Sequence, residues 1–230
     1  MPSVIVSRFN EDLNWLKKYK NFRKIVYNKG KSLADNKDLK VINLPNLGRE
    51  SQTWLYHIAK NYDSLDEVNI FLQGRIDDLG CMAFQDPNRY LENIDKYGFS
   101  VKRFGLLGPL HWKWNVGIEK DIRYKKLWET KKISRSKIGF RKFSKKLFPE
   151  IPIFVATSYG GCFAVKKELI IANKKDFYID LLRILSKHEN PIEGHYMERL
   201  WCYLFTRNSP LLRSFKDVIL TKIEKLIGDI

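Results

Sequence analysis

Acidic and cationic side chains gather where short apolar runs of this 230-residue chain end. The stretch Phe71-Leu72-Gln73-Gly74-Arg75-Ile76-Asp77-Asp78 is the most suggestive of these. A buried strand there delivers an amide, an arginine and two acids to one place, and paired carboxylates such as Asp77 and Asp78 suit Mg²⁺ or Mn²⁺, hard cations that neutralise a diphosphate. The plainer reading is a solvated turn. Leu47-Gly48-Arg49-Glu50-Ser51 opens a helix. Gly48 lets the backbone approach a ligand, Arg49 offers a bidentate fork for phosphate or sugar hydroxyls, and Glu50 also complements the helix dipole. In Ser7-Arg8-Phe9-Asn10-Glu11 a strand ends and a helix starts, a place that attracts anions, although Asn10 as a simple helix cap explains the same residues. Tyr27-Asn28-Lys29-Gly30 reads as a turn able to bracket a nucleobase or phosphate. Glu193, His195 and Glu198 fall within six residues, with His195 and Glu198 on one helix face, where a carboxylate can serve as general base for a hydroxyl. A surface salt bridge is the alternative there. His57 lies inside an amphipathic helix and reads as a core histidine.

Several chemistries lose their support. The chain has no G-x-x-x-x-G-K-[ST], G-x-S-x-G or G-x-G-x-x-G, and the His195/Glu198 spacing is not H-E-x-x-H. Cys81, Cys162 and Cys202 are odd in number and share no C-x-x-C, which argues against a disulfide framework or zinc site and for a reducing compartment.

The elements that must position these residues follow from periodicity. Ser3–Ser7, Lys24–Tyr27, Val41–Leu44 and Val68–Leu72 are short apolar runs read as strands, with helices expected over Glu11–Tyr19 and Arg49–Asn61. This β-α-β-β-α-β order predicts a mostly parallel central sheet with helices on both faces, a Rossmann-like α/β domain whose ligands sit beyond the strands' carboxyl ends. Further strands are expected at Ile151–Ala156 and Cys162–Val165, and helices from about Lys167, at Asp176–Ser186 and at His195–Phe205. The length fits one domain over 1–230.

Charge is concentrated. The chain carries a formal +16, of which residues 113–146, with thirteen Lys or Arg and three acids, supply +10. There the bases interleave with Tyr, Trp, Leu and Phe, which predicts a basic insertion at about 113–148 lying over the sheet. Such a balance favours anionic partners: nucleic acid, phosphorylated substrates or a membrane surface. An aromatic content of 13% excludes a disordered tail protein. The start has no basic n-region before a long apolar core, and no stretch reaches the ~20 apolar residues of a span, so a cytoplasmic location is expected.

Taken together, Ile5-Val6-Ser7-Arg8-Phe9-Asn10-Glu11-Asp12-Leu13, Val26-Tyr27-Asn28-Lys29-Gly30, Leu44-Pro45-Asn46-Leu47-Gly48-Arg49-Glu50-Ser51, Tyr56-His57-Ile58, Asn61-Tyr62-Asp63, Phe71-Leu72-Gln73-Gly74 and Met197-Glu198-Arg199-Leu200-Trp201 resemble an uncharacterised domain-of-unknown-function family of fungi, bacteria and large algal viruses. That family looks like a compact glycosyltransferase of the GT-A type, comparable to the small sugar transferases that build chlorella virus capsid glycans. The resemblance implies that Ser7, Arg8, Asn10 and Glu11, with Tyr27, Asn28 and Lys29, hold the nucleotide of an activated sugar. Gly48, Arg49 and Glu50 would lie beside its base or diphosphate. Gln73, Gly74 and Arg75 occupy the place of the usual Asp-x-Asp metal motif, with Asp77 and Asp78 displaced by three or four residues as ligands for Mn²⁺ or Mg²⁺. Tyr159-Gly160-Gly161-Cys162-Phe163-Ala164-Val165 resembles the strand under the acceptor site, and Glu198 or Glu193 the base of an inverting enzyme. The implied partners are a nucleotide-sugar donor and a glycan or lipid-linked acceptor, with peripheral membrane contact through the basic segment and no nucleic acid. The competing classes are a non-enzymatic binder of nucleic acid or an anionic surface, and another nucleotide-dependent transferase.

Overall fold

The computed structural model describes residues 1–33, 37–75, 86–102, 104–109, 129–130, 132–134, 138–158 and 160–208. Four short strands, β1 (Ser3–Arg8), β2 (Arg23–Asn28), β3 (Lys40–Asn43) and β4 (Val68–Gln73), pair in parallel in the order β3-β2-β1-β4. Their continuous apolar runs follow from burial on both faces. In β1, Ile5 faces one core, with Tyr27, Phe71 and Phe163, while Val4 and Val6 face the other, with Val26, Ile70 and Leu72.

The sheet is mixed, not parallel throughout. Strand β8 (Phe163–Lys166) runs antiparallel to β4, and β5 (Phe99–Ser100) antiparallel to β8, giving six strands in the order β3-β2-β1-β4-β8-β5. Two more, β6 (Phe104–Leu107) and β7 (Val155–Ser158), form a separate antiparallel ribbon. The expected strand at Ile151–Ala156 starts later because Pro152 brings no N–H to a ladder and 153–154 form a bend.

Helices cover both faces, as expected. Seven α-helices occur among the described residues: α1 (Arg49–Asn61), α2 (Asn88–Leu91), α3 (Ile94–Tyr97), α4 (Phe140–Leu147), α5 (Lys167–Ile171), α6 (Lys175–Leu185) and α7 (Ile192–Thr206). Helices α1, α6 and α7 pack together over one face, where Trp54, Leu55 and Ile58 of α1 meet Leu181 and Trp201 in one core. The other face carries Leu16, Tyr90 and Ile94. The expected helix over Glu11–Tyr19 is a 3-10 helix at Asn14–Lys18. Its buried residues Leu13, Leu16 and Tyr19 recur every third position, the spacing that a 3-10 turn eclipses onto one side. Of the basic insertion, the described part is chiefly α4, anchored by Phe140 and Phe143 against Tyr196 with ring centroids 5.1 and 5.4 Å apart.

Candidate functional site

The chain leaves β1 for β2 on one side, then returns through α1 to β4 on the other side of β1. The loops after β1 and β4 therefore diverge, and the crevice between them is the place where open α/β sheets bind ligands. A cavity of about 610 Å³ lies there, lined by Ser7, Arg8, Phe9, Glu11, Lys29, Asn46, Arg49, Glu50, Gln73, Arg75, Glu189 and Asn190. Four cationic side chains thus meet three acids at one rim.

Internal hydrogen bonds fix most of these groups. Arg8, almost fully buried, donates through Nη1 to Asn28 Oδ1 (2.6 Å) and the Lys31 carbonyl (2.8 Å), and through Nε to the Glu11 carbonyl (2.9 Å). Every acceptor is neutral, so its charge meets no counter-ion among the described residues. Glu11 turns its own Oε2 to the backbone N–H groups of Phe9 (2.6 Å) and Asn10 (3.1 Å). Asn10 Oδ1 accepts the Lys31 N–H at 2.9 Å. Gly30 is required beneath this loop, because a Cβ there would lie 1.4 Å from the Phe9 carbonyl oxygen.

Lys29 is buried and donates to the carbonyls of Leu47 (2.6 Å) and Arg49 (2.5 Å). Burial draws its ammonium down to about 7, against the opposing pull of the Glu50 carboxylate. This clamp grips an unusual turn, with left-handed backbone at Gly48 (φ +63°) and at Arg49 (φ +51°), the latter unique among the described non-glycine residues. Strain of that kind persists where neighbours over-determine it. Here the Gly48 and Arg49 N–H groups also bond the carbonyls of His188 and Glu189 (2.8 and 3.2 Å). The Arg49 side chain then lies 3.4 Å from both Glu50 Oε2 and His195 Nε2.

The base candidates sit behind the same rim. Gln73 Nε2 donates to the Gly160 carbonyl (2.8 Å), and the Gly160 N–H donates to Glu198 Oε1 (2.9 Å). One residue thus links a cavity-lining amide to the Glu198 carboxylate, whose Oε2 is 3.8 Å from Arg199. Trp54 Nε1 pins the next carbonyl, Gly161, at 2.9 Å. His195 is buried, with Nε2 2.9 Å from Asn190 Oδ1. Burial, then Arg49 and Arg199, push its imidazole down to about 3, which favours the neutral ring. Glu193 is half-buried in the first turn of α7, and neither it nor Glu198 lines the rim cavity.

Not every expected ligand residue reaches the rim. Tyr27 is fully buried under the sheet, its hydroxyl 3.0 Å from His57 Nδ1. Asn28 is buried too, holding Arg8, Gly30, Lys31 and Asn43. Both shape the loop from within, because the period of two in β2 turns Tyr27 into the core that receives Ile5. His57 is a core histidine, drawn down to about 4 chiefly by burial. Asp77 and Asp78 lie outside the described residues. The cavity-lining residues that sequence reasoning did not single out are Asn46, Glu189 and Asn190. Nothing local in Glu189-Asn190 says that this segment lands on the loop before α1.

A second cavity, of about 550 Å³, adjoins the first through Phe9, Glu11 and Arg75, and is completed by Asn10, Asp12, Trp15 and Gly74. Trp15 is fixed there by its Nε1 bond to the Gly74 carbonyl (3.1 Å).

Over residues 4–217 the chain matches the family described as "Protein of unknown function (DUF3431)". The chain belongs to that family. Comparison with curated proteins and with solved structures found no match. The family match spans every rim residue named above. Among the described residues no three His, Cys, Asp or Glu side chains gather as a metal site, and no helix is long and apolar enough to cross a membrane. Strand β4 ends on the Gln73 carboxamide.

Proposed function

We propose that this protein transfers a sugar from a nucleotide-sugar donor to the hydroxyl of a glycan or lipid-linked acceptor. The observation that carries the reading is the rim cavity itself. Arg8, Lys29, Arg49 and Arg75 converge where two parallel strands diverge, and a carboxylate is held one glycine behind. The resemblance of the rim motifs to small GT-A type sugar transferases supports the same class.

In this reading the cations face the donor's diphosphate. The acceptor oxygen attacks the anomeric carbon, and the bond from that carbon to the diphosphate oxygen breaks. Its electron pair leaves on the diphosphate, where Arg8 and the Arg49 fork stabilise the growing charge. The acceptor proton passes to the Glu198 carboxylate, and a single displacement inverts the anomeric centre. Fixed cations cost no reorganisation at the moment of reaction, which is why the internal bonding of Arg8 and the Lys29 clamp matter.

A thermal-shift panel of nucleotide sugars, with and without Mn²⁺, tests the class. A donor at about a hundredfold its Kd stabilises by about 2.7 kcal/mol, which raises the melting temperature by about 5–10 °C for a chain of this size. No shift with any member of the panel removes the reading. A shift that grows with Mn²⁺ assigns a metal to the segment holding Asp77 and Asp78.

A further inference from the structure

The β6–β7 ribbon is buried along the whole of β7, and its exposed apolar residues lie within β6 and just before β7. Leu107 and Val155, paired across the ribbon, are buried. Leu106, one residue away and so on the opposite side, is 40% exposed. Phe154 is 42% exposed and Ile153 54% exposed, just before β7. The Phe154 ring lies over Gly108, where a Cβ would meet it at 2.9 Å, and Gly108 is two residues from Leu106 on the same side. Leu106 and Phe154 therefore share one side of the ribbon, and Ile153 precedes Phe154 at the bend that enters β7. Single exposed apolar residues need no explanation, but a cluster marks an interaction site.

Its flank is cationic. Arg141 of α4 donates to the carbonyls of Pro152 (3.2 Å) and Ile151 (3.5 Å), which ties that helix to the segment leading into Ile153 and Phe154. Lys142, Lys145 and Lys146 are exposed, and α4 contains no acid; Glu150 is the one exposed acid between α4 and β7. Because Phe140 and Phe143 are anchored on Tyr196, the basic side of α4 is held outward.

We infer that this face, with Leu106, Ile153 and Phe154 at its centre and Lys142, Lys145 and Lys146 beside them, docks on an anionic lipid bilayer. Apolar side chains beside lysines are what a headgroup boundary accommodates, hydrocarbon below and anionic phosphate at the level of the ammonium groups. A nucleic acid would meet the lysines but offers nothing to Ile153 and Phe154. The surface lies apart from the rim cavity, so the inference stands whatever that cavity binds.

Sedimentation with vesicles tests it on the full chain. Phosphatidylcholine vesicles are compared with vesicles holding about one-third phosphatidylserine, at low and high salt. The chain is expected to pellet with the anionic vesicles only, and to release as salt rises. Two variants, I153S/F154S and K142E/K145E/K146E, are each expected to lose about a hundredfold in vesicle affinity, with melting temperatures unchanged because the altered side chains are exposed. The inference is overturned if the chain stays in the supernatant at low salt, or if I153S/F154S binds as well as the parent. It is equally overturned if an oligonucleotide strips the chain from vesicles at equimolar phosphate. A dimer that I153S/F154S dissociates, with no vesicle binding, would show that a second copy covers this face instead.

Discussion

Two cationic regions of the molecule use the same side chains in opposite ways. At the rim, Arg8 and Lys29 are buried and bonded to carbonyls, and Arg49 is strained into place. On α4, Lys142, Lys145 and Lys146 project into solvent beside exposed apolar residues. A charge held in a fixed position at a low-dielectric rim can stabilise a specific developing charge. An exposed, mobile ammonium can only attract a diffuse one. Under the proposed function and the inferred docking, the contrast separates a site for one ligand geometry from a surface for a plane of charge.

The largest expected effect tests the rim as a reacting site. Glu198→Gln keeps an acceptor for the Gly160 N–H but removes the base, and should lower transfer by about 10²–10⁴-fold while nucleotide binding and melting temperature hold. Parental turnover in that variant would move the base elsewhere and weaken the contrast.

Gly48→Ala comes next and reads stability. A Cβ at Gly48 would lie 2.4 Å from Gln52 Cβ and 2.5 Å from the Leu185 carbonyl, on backbone at φ +63°. Denaturant unfolding should show a loss of about 3 kcal/mol. A loss under about 1 kcal/mol would mean that the rim turn adapts, contrary to a fixed site.

Arg49 sharpens the comparison, because backbone strain and side-chain fork can be separated there. Arg49→Gly relieves the left-handed strain and Arg49→Ala keeps it, and both delete the guanidinium. Both should lose about 10²-fold in kcat/KM, whereas only the glycine variant should keep or raise the melting temperature. Equal melting temperatures would show that φ +51° costs nothing at this turn.

Acid should act through the buried histidines and not through the exposed lysines. His57 and His195 are held to about 4 and about 3, below the unfolded value near 6.5. The unfolded chain therefore binds protons that the fold refuses, so stability is full above about pH 6.5 and falls as pH drops toward those folded values. Between pH 7 and 5.5 the combined loss should be about 2 kcal/mol, read by urea unfolding. In His57→Gln most of His57's share of that slope should vanish.

The parallel half was legible because each of its signals is local. Strands such as Ser3–Arg8 read as short β-branched runs, and α1 begins at Arg49 and ends at Asn61, as its spacing of Trp54, Leu55 and Ile58 requires. The spatial order that puts the switch point beside β1 came from the tertiary structure. The far edge was illegible for a matching reason. Antiparallel β8 and β5 carry the same apolar residues that a parallel strand would, and direction is written in the connections, not in the residues. Asn28 and Tyr27 are buried and do not line the rim cavity, and a polar residue at a strand end looks alike in sequence whether it meets a ligand or another loop. Leu13, Leu16 and Tyr19 carried a true period of three that was read as helical.

Composition and periodicity were enough to specify an α/β chain, the strands around β1, the crevice beyond them and the clustering of positive charge, since each depends on neighbours within a few residues. Which side chains fill that crevice was decided only by folding. Glu189 and Asn190 reach it through backbone bonds between residues some 140 positions apart, and Glu198, which does not line it, is linked to the lining Gln73 through Gly160. Contacts of that range depend on how whole layers pack, and no short stretch of residues contains them.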